Sequence, residues 1–337
     1  MLSFMEMESG FWKELKKPIM ALAPMANVTD AAFRKMFAEC GKPDIFWTEF
    51  VSVEGLLSAG REKLLIDFWY DPSEHPIVAQ IFGSKPEQFE EVAKLVKELG
   101  FDGIDINMGC PDTGVQNSGA GAALIKNPTL AKEIIRATMR GAGGLPVSVK
   151  TRIGWSRSEI ETWVPALLEE NIAALTMHLR TRNEMSDVPA HWELMPQIVA
   201  LRNTIAPQTI ILGNGDVDSL AMAHEHVVKY GADGVMIGRG IFGNPWFFSG
   251  RTPELREKLE RMVAHTELFE KLYKTTEAKS HGALKNFEVM KKHFKAYCSG
   301  FDGAKELRIK LMETENAEEV RKLVEEFLSV SSPAKGR

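Results

Sequence analysis

The chain has 337 residues, 44% of them hydrophobic and 26% charged, and a formal net charge of −5 at pH 7. These are the proportions of an ordinary soluble globular protein, and the negative charge argues against one that coats nucleic acid indiscriminately. No apolar run is long enough to span a bilayer, and the opening MLSFMEMESGFW lacks a basic stretch followed by an apolar core; no membrane contact and a cytoplasmic location are expected.

From residue 19 onward, short apolar and β-branched runs alternate with amphipathic helical stretches. The runs are IMALAPM (19–25), IFWTEF (45–50), PIVAQIFG (76–83), GIDINMGC (103–110), PVSVKTR (146–152), AALTMHLRT (173–181), TIILGNGD (209–216) and GVMIGRG (234–240). The spacing predicts a helix over 29–40, with Thr29 as N-cap, Phe33, Met36, Phe37 and Cys40 on one face, and Gly41 as its stop. A second runs over 86–99, with Pro86 in its first turn and Gly100 after its end. Eight strands, each followed by a helix, point to an α/β fold, a parallel (β/α)8 TIM barrel. An open doubly wound sheet competes, but its glycine fingerprint is missing from the first turn, APMANVTD.

Beyond residue 250 the strand signals stop. The pattern sets apart an N-terminal extension (1–18), a barrel (19–249) and a small C-terminal helical domain (250–337). In that last part Leu284, Phe287, Met290, Phe294 and Tyr297 recur at three- and four-residue spacing, leaving Lys291, Lys292 and Lys295 toward another face. Asn316 and Glu319 resemble a capping box for a final helix carrying Val320, Leu323, Val324, Phe327 and Leu328. Residues 251–337 hold 18 Lys and Arg against 15 Asp and Glu, and residues 285–310 hold seven against three. A basic patch on an acidic protein is compatible with docking one specific polyanion. The three cysteines, Cys40, Cys110 and Cys298, form no CxxC pair, which argues against a disulfide framework or a zinc site, and no metal is expected.

A barrel of this kind builds its active site at the C-terminal ends of its strands. Those ends deliver Asn27, Glu49, Gln80, Asn107 with Cys110, Lys150 with Arg152, His178 with Arg180, Asn214 with Asp216, and Arg239. Solvated loops account for any one of them. They account poorly for Lys150 and His178, which interrupt otherwise apolar strands where an unpaired charge is costly. The GNGD (213–216) and GRG (238–240) turns after the last two strands suggest a phosphorylated cofactor, with Arg239 as a bidentate cation.

The stretches APMANVTDAAFR, VAQIFG, DGIDINMGCP, GAGAALIKNP, PVSVKTRIGW, MHLRTR, NGD and DGVMIGRG together resemble the tRNA-dihydrouridine synthases, enzymes that use flavin mononucleotide (FMN). KHFKAYCSGFDGAKELR resembles that family's helical RNA-binding domain. The resemblance implies reduction of a uridine in tRNA to 5,6-dihydrouridine, with NADPH or NADH as reductant, by a monomer whose partner is tRNA. It implies flavin contacts from Pro24, Met25, Gln80, Lys150 and His178, and a ribityl-phosphate end lined by Asn214, Gly215, Asp216, Gly238 and Arg239. Asn107 and Arg152 would meet the target base, Cys110 would be the catalytic acid, and Lys291, Lys292, Lys295 and Arg308 would contact RNA phosphates. The chain departs from the family pattern at Leu179, where glycine is common, and over 183–194. A flavin barrel acting on a small dihydropyrimidine- or dihydroorotate-type substrate, a Schiff-base lyase using Lys150, and an RNA chaperone are the competing readings.

Overall fold

A computed structural model describes residues 10–274 and 285–331 of the chain. Nine parallel strands form one sheet. β1 (Ile19–Leu22) pairs with β9 (Gly234–Ile237), and the order then runs β8 (Ile210–Asn214), β7 (Ala174–His178), β6 (Val147–Arg152), β5 (Gly103–Met108), β4 (Ile77–Phe82) and β2 (Phe46–Trp47). A bridge between Ala21 and Ile45 joins β1 to the chain entering β2 and closes the barrel. The run at 45–50 does not form one strand. It breaks after Trp47, and a separate β3 (Val51–Ser52) pairs with the end of β4. The break has a local cause: Thr48 donates its hydroxyl to the carbonyl of Glu49, whose side chain is drawn to Lys285.

Successive strand residues face opposite sides. Ile19, Ala21, Ala23, Ile45, Trp47, Val78, Leu212 and Met236 face inward and form one cluster. Leu22, Ile77, Ile81, Ile104, Ile106, Val149, Leu175, Ile211 and Val235 face outward and pack under the helices in a larger one. Trp12, from the segment set apart as an N-terminal extension, is buried in the inner cluster against the strand starts and fills the lower end of the barrel.

The helix after β1 is Ala31–Cys40, and its N-cap is Asp30, not Thr29. The Asp30 carboxylate accepts the Phe33 N–H, whereas the Thr29 hydroxyl accepts the Met25 N–H and so ties down the loop above β1. The helix Pro86–Glu98 begins at its proline. After the barrel come Leu255–Tyr273, Glu288–Tyr297, Ala304–Leu311 and Ala317–Ser331. Leu259, Met262, Phe269, Met290, Phe294, Leu307, Leu311, Val320 and Val324 form their shared core, which reaches Ala32 on the barrel. Asn316 and Glu319 do interlock at the start of the last helix. Leu284 lies outside the described residues. No helix among the described residues is long and apolar enough to cross a membrane.

Candidate active site

The strand register decides which polar side chains meet. Gln80, Asp105 and Ser148 are neighbours across β4, β5 and β6, and one step higher Asn107 pairs with Lys150, and Lys150 with Thr176. One step higher again, Arg152 pairs with His178, and His178 with Asn214. All of this set, Arg152 included, share the inward parity of the inner cluster. The interior is therefore apolar at its base and polar near its upper end, where a cleft of about 610 Å3 opens.

The cleft is lined by Pro24, Met25, Lys150, His178, Asn214, Gly215, Asp216, Gly238 and Arg239, together with Ala23, Arg180, Ser186, Val217 and Met236. Of the ten residues expected to hold a cofactor, nine therefore share one surface. Gln80 does not. It is fully buried, and its carboxamide donates to Asp105 (2.6 Å) and accepts from Asn107 (3.1 Å).

Lys150 makes no hydrogen bond or ion pair among the described residues and lines the cleft. Burial, and then the nearby Arg152 cation, bring its ammonium down to about 8. A buried charge without a partner is retained for a ligand more readily than for stability. Burial also holds His178 well below the ordinary imidazole range, reinforced by Lys150, Arg152, Arg180 and Arg239. Its ring is therefore neutral. Since Arg180 can only donate, the 3.1 Å contact to His178 Nε2 makes that nitrogen the acceptor and leaves the proton on Nδ1.

Asp216, at a φ of 50°, accepts from Arg180 and from the Ala190 N–H and stands 3.4 Å from Arg239. Burial works to raise its pKa, but the Arg180 and Ala190 hydrogen bonds outweigh it and keep the carboxyl low. Asp216 thus orients two cations. Arg180 is only 2% exposed, whereas the Arg239 side chain, 64% exposed, reaches into the open part of the cleft.

Cys110 begins the loop after β5 and is half-buried. Asn107 Oδ1 accepts the N–H groups of Gly109 (3.1 Å) and Cys110 (2.9 Å). From the other side Arg152 donates to the Gly109 carbonyl, and also to the carbonyls of Thr181 and Met185. Its guanidinium is committed to holding two loops together, and it is 5% exposed, so it offers little to a base. Gly121, at a φ of 60°, lies against this loop; a Cβ there would stand 2.9 Å from the Cys110 carbonyl oxygen. Burial pushes the Cys110 thiol up, against smaller opposing effects of Lys150 and Arg152.

Two expectations on the strand ends and the basic helix change. Glu49 does not enter the cleft; it is buried against Lys285, which also pairs with Asp67 at 2.8 Å. Lys291 is engaged by Glu288 at 2.5 Å with its side chain 17% exposed, and Arg308 contacts the Cys298 carbonyl. Lys292 and Lys295 are exposed. Asp105 is the residue that the chain-order reading passed over; Arg180 stands among its strand ends but was given no role. Asp105 carried a readable signal, a charge inside the apolar run GIDIN at the same two-residue period as Asn107.

A family model described as Dihydrouridine synthase (Dus) matches residues 21–332. A protein of Staphylococcus aureus (strain N315) named "Probable tRNA-dihydrouridine synthase" is 45% identical over 325 residues, 95% of this chain and 96% of its own length. "Probable tRNA-dihydrouridine synthase 2" of Bacillus subtilis (strain 168) is 43% identical over 325 residues, 95% and 97% of the two lengths. Among solved structures, morphinone reductase superposes with a TM-score of 0.51 at 12% identity, covering 70% of this chain and 86% of its own, a likeness of fold.

Proposed function

The chain belongs to the dihydrouridine synthase family, and we propose that it reduces a uridine of tRNA to 5,6-dihydrouridine, with FMN in the strand-end cleft and NADPH or NADH as reductant. The residues present fit the flavin. The cleft has the volume of a mononucleotide site. Its apolar side, Ala23, Pro24, Met25 and Met236, suits a flat ring, and a Cβ on Gly238 would project over Ala23 and Met25. Arg239, with the turns at Gly215 and Gly238, would hold the phosphate, and Lys150 the electron-rich edge of the ring. When bound, the flavin supplies the hydride that it takes from the nicotinamide.

Saturating the uracil C5–C6 bond takes a hydride at one carbon and a proton at the other. Cys110 supplies the proton to C5 and recovers one from solvent. The observation that carries this reading is a half-buried thiol, kept protonated by burial, on a loop fixed from both sides near the unpaired Lys150 ammonium. A neutral His178 with its proton on Nδ1 donates to a carbonyl without adding charge. The target uridine must leave its stack, at a cost of a few kcal/mol. Exposed Lys292 and Lys295 on the helix Glu288–Tyr297 offset that cost through phosphates, while Lys291 contributes less. A cytoplasmic monomer acting on free tRNA is the form this reading takes.

The test is single-turnover reoxidation of pre-reduced enzyme by tRNA without oxygen. Cys110→Ala should keep its flavin and its NADPH oxidation but reoxidise about 100-fold more slowly, the scale for loss of a positioned general acid. Reoxidation at the parent's rate would refute the role of Cys110.

A further inference from the structure

We propose that Asp105, at the centre of the barrel and outside the cleft, is a positioning residue that sets the Cys110 loop through a directed chain of hydrogen bonds. The inference rests on the reading of Cys110 as the proton donor. The chain is explicit. Ser148 Oγ donates to Asp105 Oδ1 at 2.6 Å, and Gln80 Nε2 donates to Asp105 Oδ2 at 2.6 Å. Asn107 Nδ2 donates to Gln80 Oε1 at 3.1 Å, and Asn107 Oδ1 accepts the Gly109 and Cys110 N–H groups. Asp105 and Gln80 are wholly buried, Ser148 is 2% exposed and Asn107 7%, so water does not substitute for a missing partner.

The direction of the chain is forced from its upper end. A backbone N–H can only donate, so Asn107 must turn its oxygen toward the loop and its nitrogen toward Gln80. Gln80 must then present its oxygen upward and its nitrogen downward. The group beneath has to accept, and a carboxylate does so in either of its orientations. Remove that acceptor, and Gln80 is left with an unpaired buried N–H. The cheapest repair is to rotate its carboxamide, which sets nitrogen against nitrogen at Asn107 and loosens the loop. Asp105 also sits near Lys150, and burial raises its carboxyl to about 6 against the pull of Ser148, Gln80 and Lys150. The chain does not depend on that charge. A protonated Asp105 can give its proton to Ser148 Oγ and still offer a carbonyl to Gln80.

Two variants separate acceptor from charge. Asp105→Asn keeps a carbonyl for Gln80, with its amide nitrogen donating to Ser148. Asp105→Leu has a similar shape and no acceptor. The readouts, on the full-length holoenzyme, are tRNA-driven flavin reoxidation, flavin reduction by NADPH, and the pH profile of Cys110 alkylation by iodoacetamide, followed at the Cys110 peptide by mass spectrometry. Asp105→Asn should stay within about threefold of the parent in reoxidation and alkylation. Asp105→Leu should slow reoxidation by about 10-fold or more, as for loss of a buried partner that orients a reacting group. Its Cys110 should alkylate severalfold faster with a lower midpoint, because a loosened loop exposes the thiol. If Asp105→Leu does not fold, Gln80→Met cuts the same chain one link higher and should produce the same alkylation shift. Parent-like alkylation in whichever of these two variants folds overturns the proposal, as does an Asp105→Asn that falls as far as Asp105→Leu. Failure of the Cys110 reading itself is seen separately, as normal turnover in Cys110→Ala with the alkylation shift intact.

Discussion

Between the barrel and the C-terminal helices lie two imidazoles whose environment predicts acid sensitivity. His265, on Leu255–Tyr273, and His293, on Glu288–Tyr297, are fully buried with ring centroids 4.9 Å apart. Phe33 stands 5.9 and 5.2 Å from them, and Tyr297 and Phe242 complete the packing. None of their four ring nitrogens has a hydrogen-bond partner among the described residues. Burial drops His265 to about 3, and burial, then His265 and Lys292, hold His293 well below its ordinary value. Both rings are neutral in the fold, and the unfolded chain takes up their protons first, below about pH 6.5. The stability they confer is complete above that pH and is lost as pH falls through 6.5 toward the folded values. Each ring contributes a slope of about 1.4 kcal/mol per pH unit, so moving from pH 7 to pH 5 removes about 4 kcal/mol for the pair. Against a typical total of about 5–15 kcal/mol that is a large share. Glu49, raised to about 7 mainly by burial, has the opposite sign, since its protonated fold loses stability as pH rises toward 7. Parent and variant share that contribution, and it cancels in their difference. The double variant His265→Leu, His293→Leu should therefore lose most of the acid sensitivity, measured by urea denaturation from pH 5 to 7.5. At the upper end it should be at least as stable as the parent, because unpaired buried nitrogens cost about 1–3 kcal/mol each. Parallel stability curves for parent and double variant would refute the reasoning.

Changing Lys292 and Lys295 together to Ala should raise the KM for tRNA and reduce the salt slope of binding by about 2, while Lys291→Ala does less because Glu288 already pairs with it; an equal or larger effect of Lys291 would contradict this. Gly141→Ala should destabilise the barrel by about 1–3 kcal/mol without altering the cleft, because its Cβ would stand 2.0 Å from the Glu90 carbonyl oxygen where the helices Pro86–Glu98 and Pro128–Ala142 touch. A thermal midpoint equal to the parent's would show that the helices part at no cost.

The sequence by itself determined the barrel. Eight apolar runs at regular spacing are a local signal, and burying them in parallel leaves few arrangements. It also determined which end of the barrel gathers the polar side chains, because strand direction fixes which ends hold Lys150, His178 and Asn214. The position of Cys110, in a loop just beyond a buried strand, was legible too. What only the tertiary structure decided is who partners whom. Lys285 lies 236 residues from Glu49 and takes it away from the cleft, and that pairing exists only once the C-terminal helices dock. Arg152 and Gln80 read as ligand contacts along the chain, yet register and burial commit them to the loop carbonyls and to Asp105. The N-cap moved from Thr29 to Asp30 for the same kind of reason, since the Thr29 hydroxyl was already engaged by Met25. Periodicity records which face a residue takes; it does not record the hydrogen-bond partners that a distant segment brings to that face, and for buried polar groups those partners decide the role.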